Sequence, residues 1–485
     1  MNKNKNLQII ILCILTVLSL GIYIASSKYY YRLGFPLDDA WIHQTYARNL
    51  ASGEWAFIPG EISGGSTSPL WTFIVSIGYM LKMDPLLWTF GVNFLILWGT
   101  AVIVEESIRT YSSSYDPQFP WMGALLIFEW HLVWSAGSGM ETLLFSALVV
   151  VFFVALLKNV LNLWLLGLVI GLSTWVRPEG ITLLGPALVV IVYKWRTFKY
   201  KLKDLLKLFI PLGVFIGFYL VFFYQVSGNP LPTTFYAKQV EYQSLTSIPY
   251  LKRMGTLGLQ LFIGPGIILL PGFLFNLRKK KHILVVISAS LWILGMISLY
   301  ALILPVTYQH GRYMVPCTVI LLLFGCFGMV RYLKNTKTKF SIPGITWKFS
   351  LAIILFYFWF SGALAYGKDV SLIEKQMVDT AFWVNQNIPS DKIVAAHDIG
   401  ALGYFDEHEL IDLAGLITPE IISIINHEDL MSSYLDESNA SYVISFPNWY
   451  ANLTSGLQIV HSGIMNDNQS DEVMNVYEWE TRGGN

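Results

Sequence analysis

Residues 7–25 read LQIIILCILTVLSLGIYIA and follow Lys3 and Lys5. This run of about 19 residues is close to the roughly 20 that a helix needs to cross hydrocarbon. It is longer than the roughly 7 to 15 residues of a secretory h-region, so it reads as an uncleaved membrane span. Apolar runs recur at residues 87–105, 119–136, 142–157, 160–176, 181–193, 208–226, 255–275, 283–304, 313–330 and 349–366. The expectation is an α-helical polytopic membrane protein with a bundle of about 11 transmembrane helices, in a range of about 11 to 13. The apolar run at residues 69–82 is shorter, a length that suits an interfacial or re-entrant helix.

Composition agrees with this reading. Of the 485 residues, 54% are hydrophobic and 13% charged, against roughly 25% charged in an ordinary soluble domain, which excludes a single soluble globule. A formal charge of zero conceals a division. Residues 367–485 hold 10 Asp and 9 Glu against 4 Lys or Arg, a charge of −15, and residues 1–366 carry +15. The basic excess falls in short loops at 194–207, 278–281 and 331–339, as the positive-inside rule expects of cytoplasmic connections, so it does not argue for a nucleic-acid partner. Cys13, Cys317 and Cys326 lie in apolar runs and supply no disulfide framework.

Two domains are expected. Residues 1–366 form a membrane domain with a cytoplasmic N-terminus and a first outer loop at 27–68, and residues 367–485 form a soluble acidic domain on the extracytoplasmic side. In the latter, a helical stretch at 371–387 and β-prone runs at 392–396, 410–413 and 442–446 predict a small α/β unit.

On this topology the polar clusters fall on one face of the membrane. The first outer loop contains Gly34-Phe-Pro-Leu-Asp-Asp-Ala-Trp. Asp38 and Asp39 at the membrane surface suit a general base that meets a lipid-borne reactant; they also suit the cap of a helix over residues 40–50. Glu141, Arg177, Glu179, Lys238, His310 and Arg312 all sit at outer ends of spans, where charge is costly and tends to mark function. Singly, each reads equally well as a snorkelling, capping or pairing residue. Together they describe a pocket that holds an anionic head group against a base. His397 and Asp398 resemble an acid/base or metal pair, but adjacent residues at a strand end point to opposite faces, which favours a strand-to-loop turn. Trp41, Tyr46 and Trp55 are candidates for stacking on a sugar, against an interfacial-belt role.

With these residues assembled, the chain resembles the GT-C superfamily of integral membrane glycosyltransferases, which use polyprenyl-phosphate sugars. It looks most like bacterial arabinofuranosyltransferase-like and mannosyltransferase-like members. The resemblance rests on Asp38-Asp39 after the first span, Thr67-Ser-Pro-Leu-Trp, Gly139-Met-Glu-Thr, Arg177-Pro-Glu-Gly, Phe235-Tyr-Ala-Lys, Gly311-Arg-Tyr, Asp398-Ile-Gly-Ala-Leu-Gly-Tyr and Ile411-Asp-Leu-Ala-Gly-Leu, in order over nearly the whole chain.

The resemblance implies inverting transfer of a monosaccharide from a polyprenyl-phosphate donor to a glycan, lipid or protein acceptor at the outer face of the cell membrane. Asp38 or Asp39 would be the base, and Arg177, Lys238 and Arg312 would hold the donor phosphate. Trp41, Tyr46, Glu141, Glu179, Tyr236 and His310 would contact substrate. The adjacent carboxylates permit one oxygen-liganded divalent ion, Mg or Mn, and the C-terminal domain would bind the acceptor. Two other classes fit a polytopic chain: a lipid-linked saccharide flippase, favoured by Glu129 and His131 within a span, and a non-enzymatic cell-envelope assembly protein.

Overall fold

In lipid, backbone N–H and C=O groups must be satisfied within their own segment, so apolar runs fold as helices. The computed structural model describes residues 3–111, 115, 117–158, 160–198, 200–278, 282–335, 342–464 and 473–480, and 71% of the structure is helical. Among the described residues, six helices are long and apolar enough to cross a membrane: Lys5–Tyr30, Pro85–Arg109, Leu202–Ser227, Ile283–Ile303, Tyr308–Leu333 and Gly344–Asn387. Shorter apolar helices, Pro69–Met80, Thr142–Leu157, Leu163–Val176 and Gly266–Asn276, accompany them. The chain is a multi-pass membrane protein. Residues 199, 279–281 and 336–341, which include parts of the three basic loops, lie outside the described residues.

Some expected spans are interrupted. The run at 119–136 is two helices, Trp121–Ile127 and Trp130–Gly137. The break falls at Glu129, whose carboxylate accepts the Leu132 N–H at 3.0 Å and meets His131 Nδ1 at 2.7 Å. Glu129 therefore caps the second half-helix, with His131 hydrogen-bonded to its carboxylate. The run at 255–275 divides into Tyr250–Gln260 and Gly266–Asn276, around Gly264 at φ +128°. The run at 181–193 starts in a 3-10 turn, Pro178–Leu183. Apolar-run length does not register such breaks, because hydrophobicity continues through them.

The junction expected near Tyr366 lies inside a helix. Ile342–Ile373 continues through a π-helical turn, Glu374–Val378, into Asp379–Asn387. Beyond it stands one five-stranded sheet in the order β2-β1-β3-β5-β4, with β1 Ile393–Ala396, β2 Glu409–Asp412, β3 Ala440–Ser445, β4 Ile459–Ser462 and β5 Asn475–Glu478. Strand β1 runs parallel to β2 and β3, and β5 runs antiparallel to β3 and β4. The first three strands match the expected runs to within about two residues. Strands β4 and β5 were not expected; each is four residues long and mixes polar with apolar positions.

The sheet is docked on the first loop through one apolar core. Phe35, Leu37, Trp41 and Phe57 of the loop pack in the same cluster as Val394, Leu402, Leu416 and Ile444 of the sheet region. Polar contacts fix the register. Arg48, near the end of helix Asp38–Ala51, donates to the carbonyls of Tyr404 at 2.7 Å and Gly403 at 3.1 Å, closing the C-terminus of the short helix Gly400–Phe405. Arg32 adds ion pairs to Glu374 at 2.5 Å and Asp379 at 2.8 Å.

The approach at Gly400 leaves no room for a side chain, since a Cβ there would stand 2.1 Å from the Asp38 carbonyl oxygen. Gly400→Ala should cost about 1–3 kcal/mol through overpacking. The expected readouts are a lower unfolding midpoint in detergent and faster proteolysis near residues 388–400; parent-like values in both would refute this docking contact.

Candidate active site

Helix Asp38–Ala51 begins with two acids, which complement the positive end of its dipole. Successive helical residues project about 100° apart, so the two carboxylates face different partners. The expected cap of their own helix is not formed: the N-cap position is Leu37, with no side-chain bond. Asp38 instead caps Gly400–Phe405, accepting the N–H of Gly400 at 2.6 Å and of Ala401 at 2.8 Å. Burial pushes its carboxyl above the usual range, against the pull of those two amides. Asp39 turns toward cations, accepting from Arg312 Nη2 at 2.6 Å, with Lys238 Nζ at 3.7 Å. Burial raises the Asp39 carboxyl too, but the charges of Lys238 and Arg312 outweigh it and hold the group well below the ordinary carboxylate range.

Each charged group is placed by local backbone chemistry. Lys238 lies on helix Thr233–Glu241, which is tied to the first loop by Thr233 N–H to the Gly64 carbonyl at 3.0 Å and Thr234 Oγ1 to the Gly65 carbonyl at 2.6 Å. Gly64 permits this approach, since its Cβ would lie 2.5 Å from that of Ser227. Arg312 follows Gln309, His310 and Gly311, all three left-handed, with φ of 54°, 57° and 64°. Arg312 is buried, and its Nε and Nη1 have no partner among the described residues.

Each guanidinium nitrogen of Arg177 already has a partner. It reaches Glu141 at 2.9 Å, Glu179 at 2.6 Å and the Tyr300 hydroxyl at 2.9 Å. Glu141 in turn lies 3.4 Å from His43 Nε2.

These groups border connected spaces. A cavity of about 450 Å³ among the helix ends is lined by Asp39, Glu141, Arg177, Glu179, Lys238 and Arg312, with apolar walls that include Leu299 and Ile303. A second, of about 530 Å³, lies against the sheet region and includes Asp39, Lys238, His397, Asp398 and Trp449. A third, of about 450 Å³, includes Asp39, Gln309, Asp398 and Trp449. Asp39 borders all three.

Four of the expected contact residues do not border these cavities. Trp41 is buried against Phe35, Tyr404 and Phe405. Tyr46 is fully buried, with its hydroxyl on Ser63 Oγ at 2.6 Å and the Gly65 N–H at 2.9 Å. Both rings are core, since the loop needs apolar mass to dock the sheet. Tyr236 packs its ring edge-on to Phe235. His310 Nε2 lies 2.7 Å from Asp369 and its ring sits between Trp130 and Trp134, so it anchors the strained turn.

His397 and Asp398 do follow β1, as the strand-to-loop reading has it, and they also face the sheet-side cavity. Burial drives the Asp398 carboxyl far above its usual range, reinforced by Asp38 and Asp39. Burial lowers His397, and Lys238 lowers it further, so its ring stays neutral.

His43 was not anticipated, although its spacing four residues from Asp39 puts both on one helix face. For a divalent metal, the residues do not fit. Asp38 is spent on amides and Asp39 on cations, and among the described residues no group of three or more His, Cys, Asp or Glu is arranged to hold an ion.

The fold of this membrane bundle is shared with solved membrane proteins. The fold is similar to that of ArnT from Cupriavidus metallidurans in the apo state (TM-score 0.60, 13% identity, covering 96% of this chain and 97% of that one) and bound to undecaprenyl phosphate (TM-score 0.55, 13% identity, with the same coverage). It is also similar to the Archaeoglobus fulgidus oligosaccharyltransferase in the apo form (TM-score 0.56, 12% identity, covering 91% of this chain and 69% of that one). These are GT-C glycosyltransferases, and this chain has the GT-C fold. Residues 368–478 match a family described as a domain of unknown function, DUF8728. No curated protein sequence matches the chain.

Removing Arg177 would take the cation from one buried carboxylate, Glu141, and one half-buried carboxylate, Glu179. Arg177→Met should destabilise the protein by about 3–5 kcal/mol. Lys238→Met, which removes one ion pair at 3.7 Å, should cost less. Thermal unfolding of the detergent-solubilised variants checks the ranking.

Proposed function

We propose that the protein is an inverting glycosyltransferase that moves a monosaccharide from a polyprenyl-phosphate donor to a glycan, lipid or protein acceptor at the outer face of the membrane, with Asp39 as general base. The N-terminus is then cytoplasmic and the C-terminal domain extracytoplasmic, as the basic loops imply. The observation that carries the reading is the position of Asp39, on the shared border of a cation-lined cavity among the helix ends and a polar cavity under the sheet. ArnT of this fold holds undecaprenyl phosphate in its solved complex, which supports a lipid phosphate as the anion that the cations receive.

In this mechanism the donor phosphate lies against Lys238 and the unpartnered Nε and Nη1 of Arg312. Charge-assisted hydrogen bonds to a buried guanidinium are the strong kind. The acceptor hydroxyl, in the sheet-side cavity, attacks the anomeric carbon from the face opposite the phosphate. Asp39 takes the hydroxyl proton, the new glycosidic bond forms, and the bond from the anomeric carbon to the phosphate oxygen breaks. Its electron pair leaves with the polyprenyl phosphate, whose growing charge the two cations stabilise. One displacement inverts the configuration.

Asp39 suits the base role better than Asp38, both of whose oxygens are bound to amides. Arg312 restrains Asp39 in the empty site, and an arriving phosphate competes for that guanidinium, which raises the basicity of Asp39 as the donor binds. Arg177, neutralised by Glu141 and Glu179, shapes the wall and is not a phosphate ligand.

The test is sugar transfer from polyprenyl-phosphate sugars in membranes that contain the variants. Asp39→Asn should lower transfer by about 10² to 10⁴-fold, the usual contribution of a general base, and leave undecaprenyl phosphate binding in place. Arg312→Gln should weaken that binding roughly tenfold or more, the loss expected for charge-assisted hydrogen bonds. Undiminished transfer by Asp39→Asn refutes the mechanism.

A further inference from the structure

The sheet-side cavity has a chemistry that a lipid phosphate does not call for. Trp449 is 47% exposed at its border, with its ring held edge-on by His397 at 4.6 Å. His397 is fixed in turn by the Tyr450 hydroxyl, 2.7 Å from Nδ1. Two acceptor atoms, Asp398 Oδ2 and Gln309 Oε1, are buried without a partner among the described residues, and both residues line this cavity and the adjoining one.

Leaving such atoms unpaired is costly. Gln309 is moreover held in a left-handed conformation, which is strained in a residue other than glycine. A ligand with O–H groups pairs both, since a hydroxyl donates to the Gln309 oxygen and can accept from or donate to the Asp398 carboxyl.

Charge narrows the class. Asp38 is matched by amides and Asp39 by Lys238 and Arg312, which leaves the carboxyls of Asp398 and Glu241 on the cavity wall and, among the described residues, no uncommitted cation for an anion to meet. An acidic ligand is disfavoured. An exposed indole offers an apolar face, which complements the C–H face of a sugar ring while the ring's hydroxyls reach the polar wall. The volume, about 530 Å³, is in the range of small-molecule sites.

We propose that this cavity binds the acceptor as a neutral saccharide, with one ring stacked on Trp449 and hydroxyls hydrogen-bonded to Asp398 and Gln309. The proposal rests on the transferase reading and refines it. Acidic glycans and phosphorylated lipid head groups are excluded as acceptors, and the C-terminal domain becomes the element that selects the acceptor.

The experiment measures binding to the full-length protein in nanodiscs by saturation-transfer NMR and titration calorimetry. The probes are neutral arabinan, galactan and mannan fragments, with oligogalacturonate and a serine-rich peptide as comparisons. At least one neutral series should bind in preference to both comparisons. Trp449→Ala should weaken that binding about tenfold, Trp449→Phe should restore most of it, and Asp398→Asn should weaken it several-fold. Retained undecaprenyl phosphate binding shows that each variant is folded. Preference for oligogalacturonate or peptide, failure of every neutral series, or parent-like binding by both Trp449→Ala and Asp398→Asn overturns the proposal. Binding is read without transfer, so the two readings fail separately: saccharide binding that survives while Asp39→Asn transfers normally removes the base and keeps the site, and the converse removes the site alone.

Discussion

Adjacent residues on a helix diverge by about 100°, and this structure uses that divergence to join two tasks at one point. Asp38 holds the N-terminus of helix Gly400–Phe405 and so docks the sheet region. Asp39 faces Arg312 and Lys238 at the ends of the membrane helices. Because the two positions share a backbone, the seating of the C-terminal region and the placement of Asp39 are not independent. Arg48, about three turns further along, closes the other end of the docked helix, so the loop helix grips both ends of its partner.

The cations around Asp39 illustrate how buried charge is tolerated. A buried ion left unpaired is strongly destabilising, and Arg177 avoids this with two carboxylates and a tyrosine hydroxyl. Arg312 is different: one guanidinium nitrogen is engaged with Asp39, and two more are buried without partners. It is delivered by a turn of three left-handed residues, two of them non-glycine, pinned through His310 to Asp369. Strain and unsatisfied donors are concentrated at this one place, which is why the proposed mechanism puts the donor phosphate there.

Much of this was legible in the chain because charge in a lipid-facing sequence is rare. Glu141, Arg177, Glu179, Lys238 and Arg312 stood out as polar interruptions at span ends, and the structure gathers all five around one cavity. The aromatic residues were harder. Trp41 and Tyr46 are buried in the core between loop and sheet, and in a chain with 17 Trp and 26 Tyr residue type does not separate a packing ring from a binding ring. Trp449, an exposed ring at a cavity, had no pattern to announce it. The break at Gly264 was likewise hidden, since apolar composition continues across it, and Glu129 stood out as a charge within a span but not as a helix break.

The sequence alone determined the membrane-embedded helical class, the acidic C-terminal region with its first three strands, and the set of charged residues at the span ends, because hydrophobic length and charge scarcity are properties of a local window. Only the tertiary structure decided which of two neighbouring aspartates is spent on docking and which faces the cations, that Arg177 is neutralised while Arg312 keeps free donors, and that the Gly400 N–H meets a first-loop carboxylate 362 residues away in the chain. Those outcomes depend on the direction in which a side chain leaves its helix and on what distant backbone it meets, and neither quantity is encoded in any single stretch of residues.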